Sequence, residues 1–369
     1  MKFNTKCVHG GGKPDSTGAI SPAIYMSSTF THPGLGETTG FQYTRESNPT
    51  RDRLETLIAG LEEGTDAIAF SSGMAAVDAV FHLFSPGDHV ILGDDLYGGS
   101  IRLFTNIYEK NGVEFTYVGT SDLDAVQAAF KPNTKAVYIE TPTNPMMEIT
   151  DVRALSKMAH DRNALVIVDN TFLSPYFQKP LHLGADIVVH SGTKFIGGHH
   201  DVISGFTIVK DDDLAAQLRL IYKTVGACLS AFDSWLVIRG IKTLALRMEQ
   251  HQKNAIALAE WLKQEPKVTK VLFPGLPDHP GYEVNKSQTT GFGGMLSFEV
   301  DSEETAKQVL EGIQLIQFAE SLGGTESLLT YPVTQTHPDL KPEDAERKGI
   351  TRRLLRLSVG IEDTDDLIA

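Results

Sequence analysis

Cysteine is nearly absent. Cys7 and Cys228 are the two in 369 residues, too few for a disulfide framework or a cysteine-rich metal site. No apolar run approaches the roughly 20 residues a membrane helix needs, and residues 1–12 carry no apolar core of the secretory-leader type. A cytosolic protein is the expectation. Positive charge is also scarce: 33 Lys and Arg stand against 47 Asp and Glu, a formal net charge of -14. Such a field repels phosphate backbones, so neither nucleic acid nor a membrane surface is an expected partner. An anionic small ligand would have to be met by a local positive pocket. G-x-G-x-x-G, Walker A and G-x-S-x-G patterns are missing, which removes local support for nucleotide binding and for α/β-hydrolase chemistry.

What remains is ordinary for a folded chain, with 41% hydrophobic and 22% charged residues. The length predicts two or three domains. Short β-branched runs at 66–70, 89–92, 135–140, 164–168, 186–190 and 205–209 predict strands. Helical spacing fills 73–84, 100–111, 122–130 and 151–162 between them. This alternation predicts an α/β domain with a mostly parallel sheet, whose ligands belong at the carboxyl ends of the strands. Residues 1–50, rich in Gly, Pro, Ser and Thr, read as an N-terminal arm. The α/β domain is placed at 51–232 and a smaller α+β domain at 233–369. Proline-free helical spacing from Ala231 to Gln264 carries the chain between them. The second domain takes strands at 268–273, 294–300 and 354–359, a helix at 303–313, and a loop from Gly323 to Pro342. The final EDTDDLIA begins like a helix with no stop signal, so continuation beyond Ala369 is an open expectation.

Four places carry chemistry. Lys194 follows an apolar strand, is flanked by Ser191 and Thr193, and precedes Gly197 and Gly198. A desolvated amine there could form a Schiff base with a carbonyl cofactor, and the hydroxyls could donate to a phosphate; a surface lysine is the plainer alternative. Asp169 ends the apolar strand VIVD, where a carboxylate is costly unless it meets a cation such as a protonated pyridine nitrogen; a helix cap is the alternative. Ser71, Ser72 and Gly73 open a helix directly after a strand and aim free N–H groups beyond the sheet, although a plain N-cap would look the same. Tyr97, in a loop after a strand, could stack on a planar ring or be a core tyrosine. Together the four fall at strand ends in the order phosphate, ring, nitrogen, aldehyde. His199, His200 and Asp201 look metal-like, but adjacent side chains diverge, so no metal site is expected. Ser191 to Lys194 also spells the S-x-x-K of serine β-lactamases, without the partner motifs that chemistry needs.

With YTRESNPTR, SSGMAA, DLYGGS, ETPTNP, VIVDNTF, HSGTKFIGGHHD, AESLGGTESLLTYP and LLRLSVGIED in order from about residue 9 to 363, the chain resembles the trans-sulfuration family of pyridoxal-phosphate (PLP) enzymes. That family comprises the cystathionine lyases and synthases and methionine γ-lyase. The resemblance implies the type I, aspartate aminotransferase-like PLP fold. It makes Lys194 the cofactor-holding, proton-moving lysine, Asp169 the partner of the ring nitrogen and Tyr97 the stacked ring. Gly73, Met74, Ser191 and Thr193 become phosphate binders, and Tyr43 and Arg45 reach that phosphate from a neighbouring subunit. Asn144, Ser321 and Arg356 become the holders of the substrate carboxylate. A homotetramer with active sites shared across an interface follows, as does cleavage of a C–S bond of cystathionine in cysteine and methionine metabolism. Gly99 stands where methionine γ-lyases have cysteine. Glu320 resembles a glutamate of γ-lyases and γ-synthases that could bind a distal ammonium, whereas Gln42 stands where γ-lyases carry an acid. Gly192 and His200 replace the usual Ala or Cys and Ser. γ-Elimination is expected ahead of β-elimination, with γ-synthase activity third. Outside the class stand an aminotransferase of the same fold and a non-catalytic PLP carrier.

Overall fold

The computed structural model describes residues 1–338 and 342–369 and contains two sheets. The larger has seven strands: β1 (Asp66–Phe70), β2 (His89–Gly93), β3 (Glu114–Val118), β4 (Thr134–Glu140), β5 (Leu165–Asp169), β6 (Ile187–Ser191) and β7 (Gly205–Val209). Their order is β1-β7-β6-β5-β4-β2-β3. Only β7 runs antiparallel to its neighbours, so the ends of β1, β2, β4, β5 and β6 share one edge. Ile91, Val137, Val166, Val168 and Val188 point to one face, and Val90, Leu92, Tyr138, Ile167 and Val189 to the other. Both faces are covered, as a parallel sheet demands. Helices Pro49–Glu62, Val152–His160 and Leu244–Leu262 contribute to the first core, helices Gly73–Phe81 and Asp212–Val225 to the second. Each fully buried Val, Ile or Leu contributes roughly 1.5–3 kcal/mol.

The second sheet joins β8 (Val268–Leu272), β9 (Met295–Val300), β10 (Gln317–Phe318), β11 (Leu328–Thr330) and β12 (Leu354–Ser358) in the order β10-β11-β12-β9-β8. It has its own core, including Leu296, Phe298, Leu355, Leu357 and Leu258. Ser297 donates to the Pro145 carbonyl at 2.7 Å and ties this sheet to the end of the large one.

Several expectations needed correction. The stretch from Ala231 to Gln264 is two helices, Ala231–Ile241 and Leu244–Leu262. Buried Arg247 accounts for the break: it donates to the Gly240 carbonyl, to Thr243 Oγ1 and to the Phe195 carbonyl, so the first helix ends against a side chain. The helix expected at 100–111 starts at Gly98 and turns into a π-helix over Phe104–Tyr108. The loop expected at 323–342 contains β11, and its residues 339–341 lie outside the described residues. The N-terminal arm includes a short helix, Phe3–His9, and a bridge between Thr29 and Tyr43. Helix Thr364–Ile368 ends the chain. Among the described residues no helix is long and apolar enough to cross a membrane.

Candidate active site

The shared strand edge borders a cavity of about 360 Å³. At the end of β1, Ser72 caps helix Gly73–Phe81 by accepting from Ala75 N–H at 3.0 Å. A Cβ on Gly73 would lie 2.9 Å from Ser191 Cβ, so only glycine lets this helix start sit directly on the end of β6. The Gly73 and Met74 N–H groups, with no partner inside their own helix, form a cradle with Ser191 at the cavity wall. Thr193 also lines the cavity, and its hydroxyl exchanges hydrogen bonds with the Ser204 backbone at 3.0 and 3.2 Å.

Asp169 ends β5 as expected. Its Oδ1 accepts from Thr171 N–H (3.0 Å) and Thr171 Oγ1 (2.5 Å), and Tyr138 Oη lies 3.5 Å from Oδ2. On the neighbouring strand Glu140 pairs in register with Asp169, and its Oε1 accepts from Tyr97 N–H at 3.0 Å. Burial raises both carboxyls above their ordinary range, Glu140 far more so, and the Asp169 charge adds to its rise. This acid wall favours a cationic partner.

The opposite wall is cationic and comes from two elements. Lys194 Nζ donates to Ser321 Oγ at 2.9 Å. Burial and the Arg356 charge lower the amine to about 8, against a smaller pull from Glu320. Arg356, on β12 and 1% exposed, donates to Asn144 Oδ1 (2.7 Å), the Ser321 carbonyl (3.0 Å) and Thr330 Oγ1 (3.1 Å). Burial pushes the guanidinium down to about 10. Its Nε is buried beside the cavity with no hydrogen-bond partner among the described residues. An unpaired buried donor on a guanidinium calls for a carboxylate. Ser321 holds this junction with φ of 87°, in the left-handed region where a non-glycine residue is strained.

All but two of the thirteen anticipated positions border one space: Gly73, Met74, Tyr97, Asn144, Asp169, Ser191, Thr193, Lys194, Glu320, Ser321 and Arg356 line the cavity. Tyr97 is 43% exposed. Tyr43 and Arg45 stand outside this cavity; Arg45 donates to the Lys223 carbonyl and its guanidinium lies 5.5 Å from the Tyr43 ring. Glu140, Thr171 and Thr336 join the lining without having been singled out in the sequence. Glu140 had a usable signal, a charge closing an apolar strand as Asp169 does. Gly192 is explained by packing, since a Cβ there would overlap the Phe206 ring and Ser204 Oγ. His200 packs against Gly324, with Nε2 3.8 Å from the Glu326 carboxylate; nothing in the structure explains a histidine there. Among the described residues no three His, Cys, Asp or Glu side chains group as metal ligands do.

These walls fit pyridoxal phosphate: a carboxylate for a ring cation, a half-exposed aromatic ring, an N–H cradle for phosphate and an amine of lowered pKa for an aldehyde. The comparisons agree. Residues 4–369 match the model of the Cys/Met metabolism PLP-dependent enzymes. A cystathionine β-lyase of Lactococcus lactis subsp. cremoris (strain MG1363) is 48% identical over 367 residues, covering 99% of this chain and 97% of that protein. A cystathionine γ-synthase of Haemophilus influenzae is 49% identical over 369 residues, covering 100% and 96%. The crystal structure of cystathionine γ-lyase from Lactobacillus plantarum, complexed with L-serine, superposes with a TM-score of 0.97 at 47% identity, covering 100% of this chain and 97% of that one. The fold is thus the type I PLP fold, and the chain belongs to the Cys/Met metabolism family of PLP-dependent enzymes.

Proposed function

We propose that this enzyme is a cystathionine γ-lyase, releasing cysteine, 2-oxobutanoate and ammonia from cystathionine. The observation that carries the reading is Glu320, a carboxylate on the cavity rim next to Ser321, close enough for its charge to act on both Lys194 and Arg356. A substrate whose α-carboxylate meets Arg356 would present a distal ammonium on the Glu320 side. The names of the relatives span β-lyase, γ-lyase and γ-synthase, so regiochemistry is the point the proposal adds.

Gly73, Met74, Ser191 and Thr193 would hold the cofactor phosphate, Asp169 its ring nitrogen, Tyr97 its ring face and Lys194 its aldehyde. Tyr43 and Arg45 of a second copy would complete the phosphate site, which suits a homotetramer in the cytoplasm with the 1–50 arm laid on a neighbour. Pyridoxal phosphate, when bound, supplies an electron sink for negative charge at the substrate Cα. Arg356 and Asn144 hold the substrate carboxylate. Ser321 Oγ fixes the direction of Lys194 Nζ, whose lowered pKa leaves an appreciable fraction neutral, able to take the Cα proton and return it at Cβ or sulfur.

Incubating the PLP-loaded enzyme with L-cystathionine and identifying the keto acid tests the proposal. Four-carbon 2-oxobutanoate is expected. Pyruvate would replace it with β-elimination, and a keto acid formed only when a second keto acid is added would make the enzyme an aminotransferase.

A further inference from the structure

A second polar network lies beneath the site, on the sheet face away from the cavity, and none of its members appears among the site residues above. Glu62, the last residue of helix Pro49–Glu62, is fully buried, as are His190 and Asn170. One oxygen of Glu62, Oε1, accepts from His190 Nε2 at 2.6 Å and from Asn170 Nδ2 at 2.9 Å. Asn170 also donates to the Gln178 carbonyl (3.1 Å), and Gln178 Nε2 donates to Asn170 Oδ1 (3.0 Å) and, at 3.4 Å, to the Thr141 carbonyl. The network therefore joins the residues that follow β4 and β5 to the penultimate residue of β6. Asn170 is one residue beyond Asp169, and His190 one residue before Ser191. The backbone repeats the link, with Asn170 N–H donating to the Val189 carbonyl at 2.9 Å.

A buried carboxyl oxygen is expensive unless donors surround it. Here the donors come from two adjacent strand ends and the acceptor from a helix that touches the cavity nowhere. The second oxygen, Oε2, has no partner among the described residues, so the fit of the carboxylate rests on those two bonds. Strand ends are where a sheet is least constrained by its own ladder, yet Asp169 and Ser191 must hold a fixed spacing for one rigid ligand to meet both.

We infer that Glu62 is a positioning residue for the cofactor: by clamping His190 and Asn170 together it sets the distance between Asp169 and the Ser191 end of the phosphate cradle. The inference rests on the cofactor-binding reading above and deepens it. It assigns the residue that acts on both halves of the site through others, never touching the cofactor itself.

The test uses the enzyme stripped of cofactor and titrated with pyridoxal 5'-phosphate, with affinity and the visible circular dichroism of the bound cofactor as readouts. Measurements are made where far-ultraviolet circular dichroism shows each variant folded. Glu62→Ala should bind about tenfold more weakly or worse, the scale of a lost buried charge-assisted hydrogen bond, with a changed visible band at saturation. Glu62→Gln keeps an acceptor oxygen at the same reach and should recover most of the affinity and the band. Should Glu62→Ala fail to fold, Asn170→Ala, which cuts the β5 arm and the bonds to Gln178 but leaves the His190 arm in place, should show the same changes at smaller size. A folded Glu62→Ala or Asn170→Ala protein with wild-type affinity and band would overturn the inference, as would a Glu62→Gln protein no better than Glu62→Ala. Asp169→Asn separates the two levels. Lost cofactor affinity there with unchanged Glu62→Ala sinks the clamp alone, whereas indifference in the Asp169 variant sinks the reading it rests on.

Discussion

The two walls of the cavity are charged oppositely and pay the same cost. Asp169 and Glu140 are pushed towards their protonated forms by burial, while Lys194 and Arg356 are pushed towards their neutral ones. Each wall would relax if its charges met the other, yet among the described residues no ion pair crosses the cavity. Lys194 turns to Ser321 and Arg356 to Asn144. The difference in origin explains this. The acid wall is built entirely from strand ends of the large sheet, whereas the cationic wall combines the β6 loop with β12 of the other sheet. What the separation preserves is a space with a cation-seeking side and an anion-seeking side, suited to ligands that carry both charges.

Removing one member at a time breaks the comparison. Lys194→Ala should cost the most, with turnover falling by roughly 100- to 10,000-fold or more, the range a positioned acid–base group supplies, while the thermal midpoint barely moves; ordinary turnover would refute its assignment. Asp169→Asn keeps the shape but removes the acid wall's charge. Cofactor affinity should fall roughly 10- to 100-fold, as for a lost hydrogen bond to a charged group, measured by titrating the stripped enzyme. pH sharpens the contrast, because an amine attacks only when neutral. With Lys194 lowered to about 8, the rate of cofactor uptake should drop about tenfold per pH unit below that value and level off above it; a flat rate between pH 6 and 8 would contradict the lowered amine. Arg356→Lys should have the smallest effect, raising KM about tenfold through loss of the two-pronged grip while kcat changes less. A KM left unchanged would remove Arg356 from the carboxylate site.

The large sheet was legible because its central strands are continuous apolar runs. β1, β2, β4, β5, β6 and β7 all fall within a residue or so of their expected places. The edge strand β3 was not, since Glu114–Val118 is partly exposed and lacks that signature. Helix Pro49–Glu62 hid behind the loop-like composition before it, although Asn48 as cap and Pro49 at the first turn are start signals. Helix Asp212–Val225 carried similar marks, with Asp211 as its cap and Gly226 past its end.

Local chemistry in the sequence marked the strand ends, the helix that opens at Gly73 and the amine and the acid as candidates, because each depends on the residues beside it in the chain; the guanidinium of Arg356 stood out through the family resemblance alone. Only the tertiary structure decided that Arg356 faces Lys194 across Ser321, that Glu140 stands beside Asp169, and that Glu62 grips both strand ends from below. Those contacts join residues 29 to 128 positions apart. Buried polar atoms must find partners wherever folding brings them, and no stretch of neighbouring residues records which partner that will be.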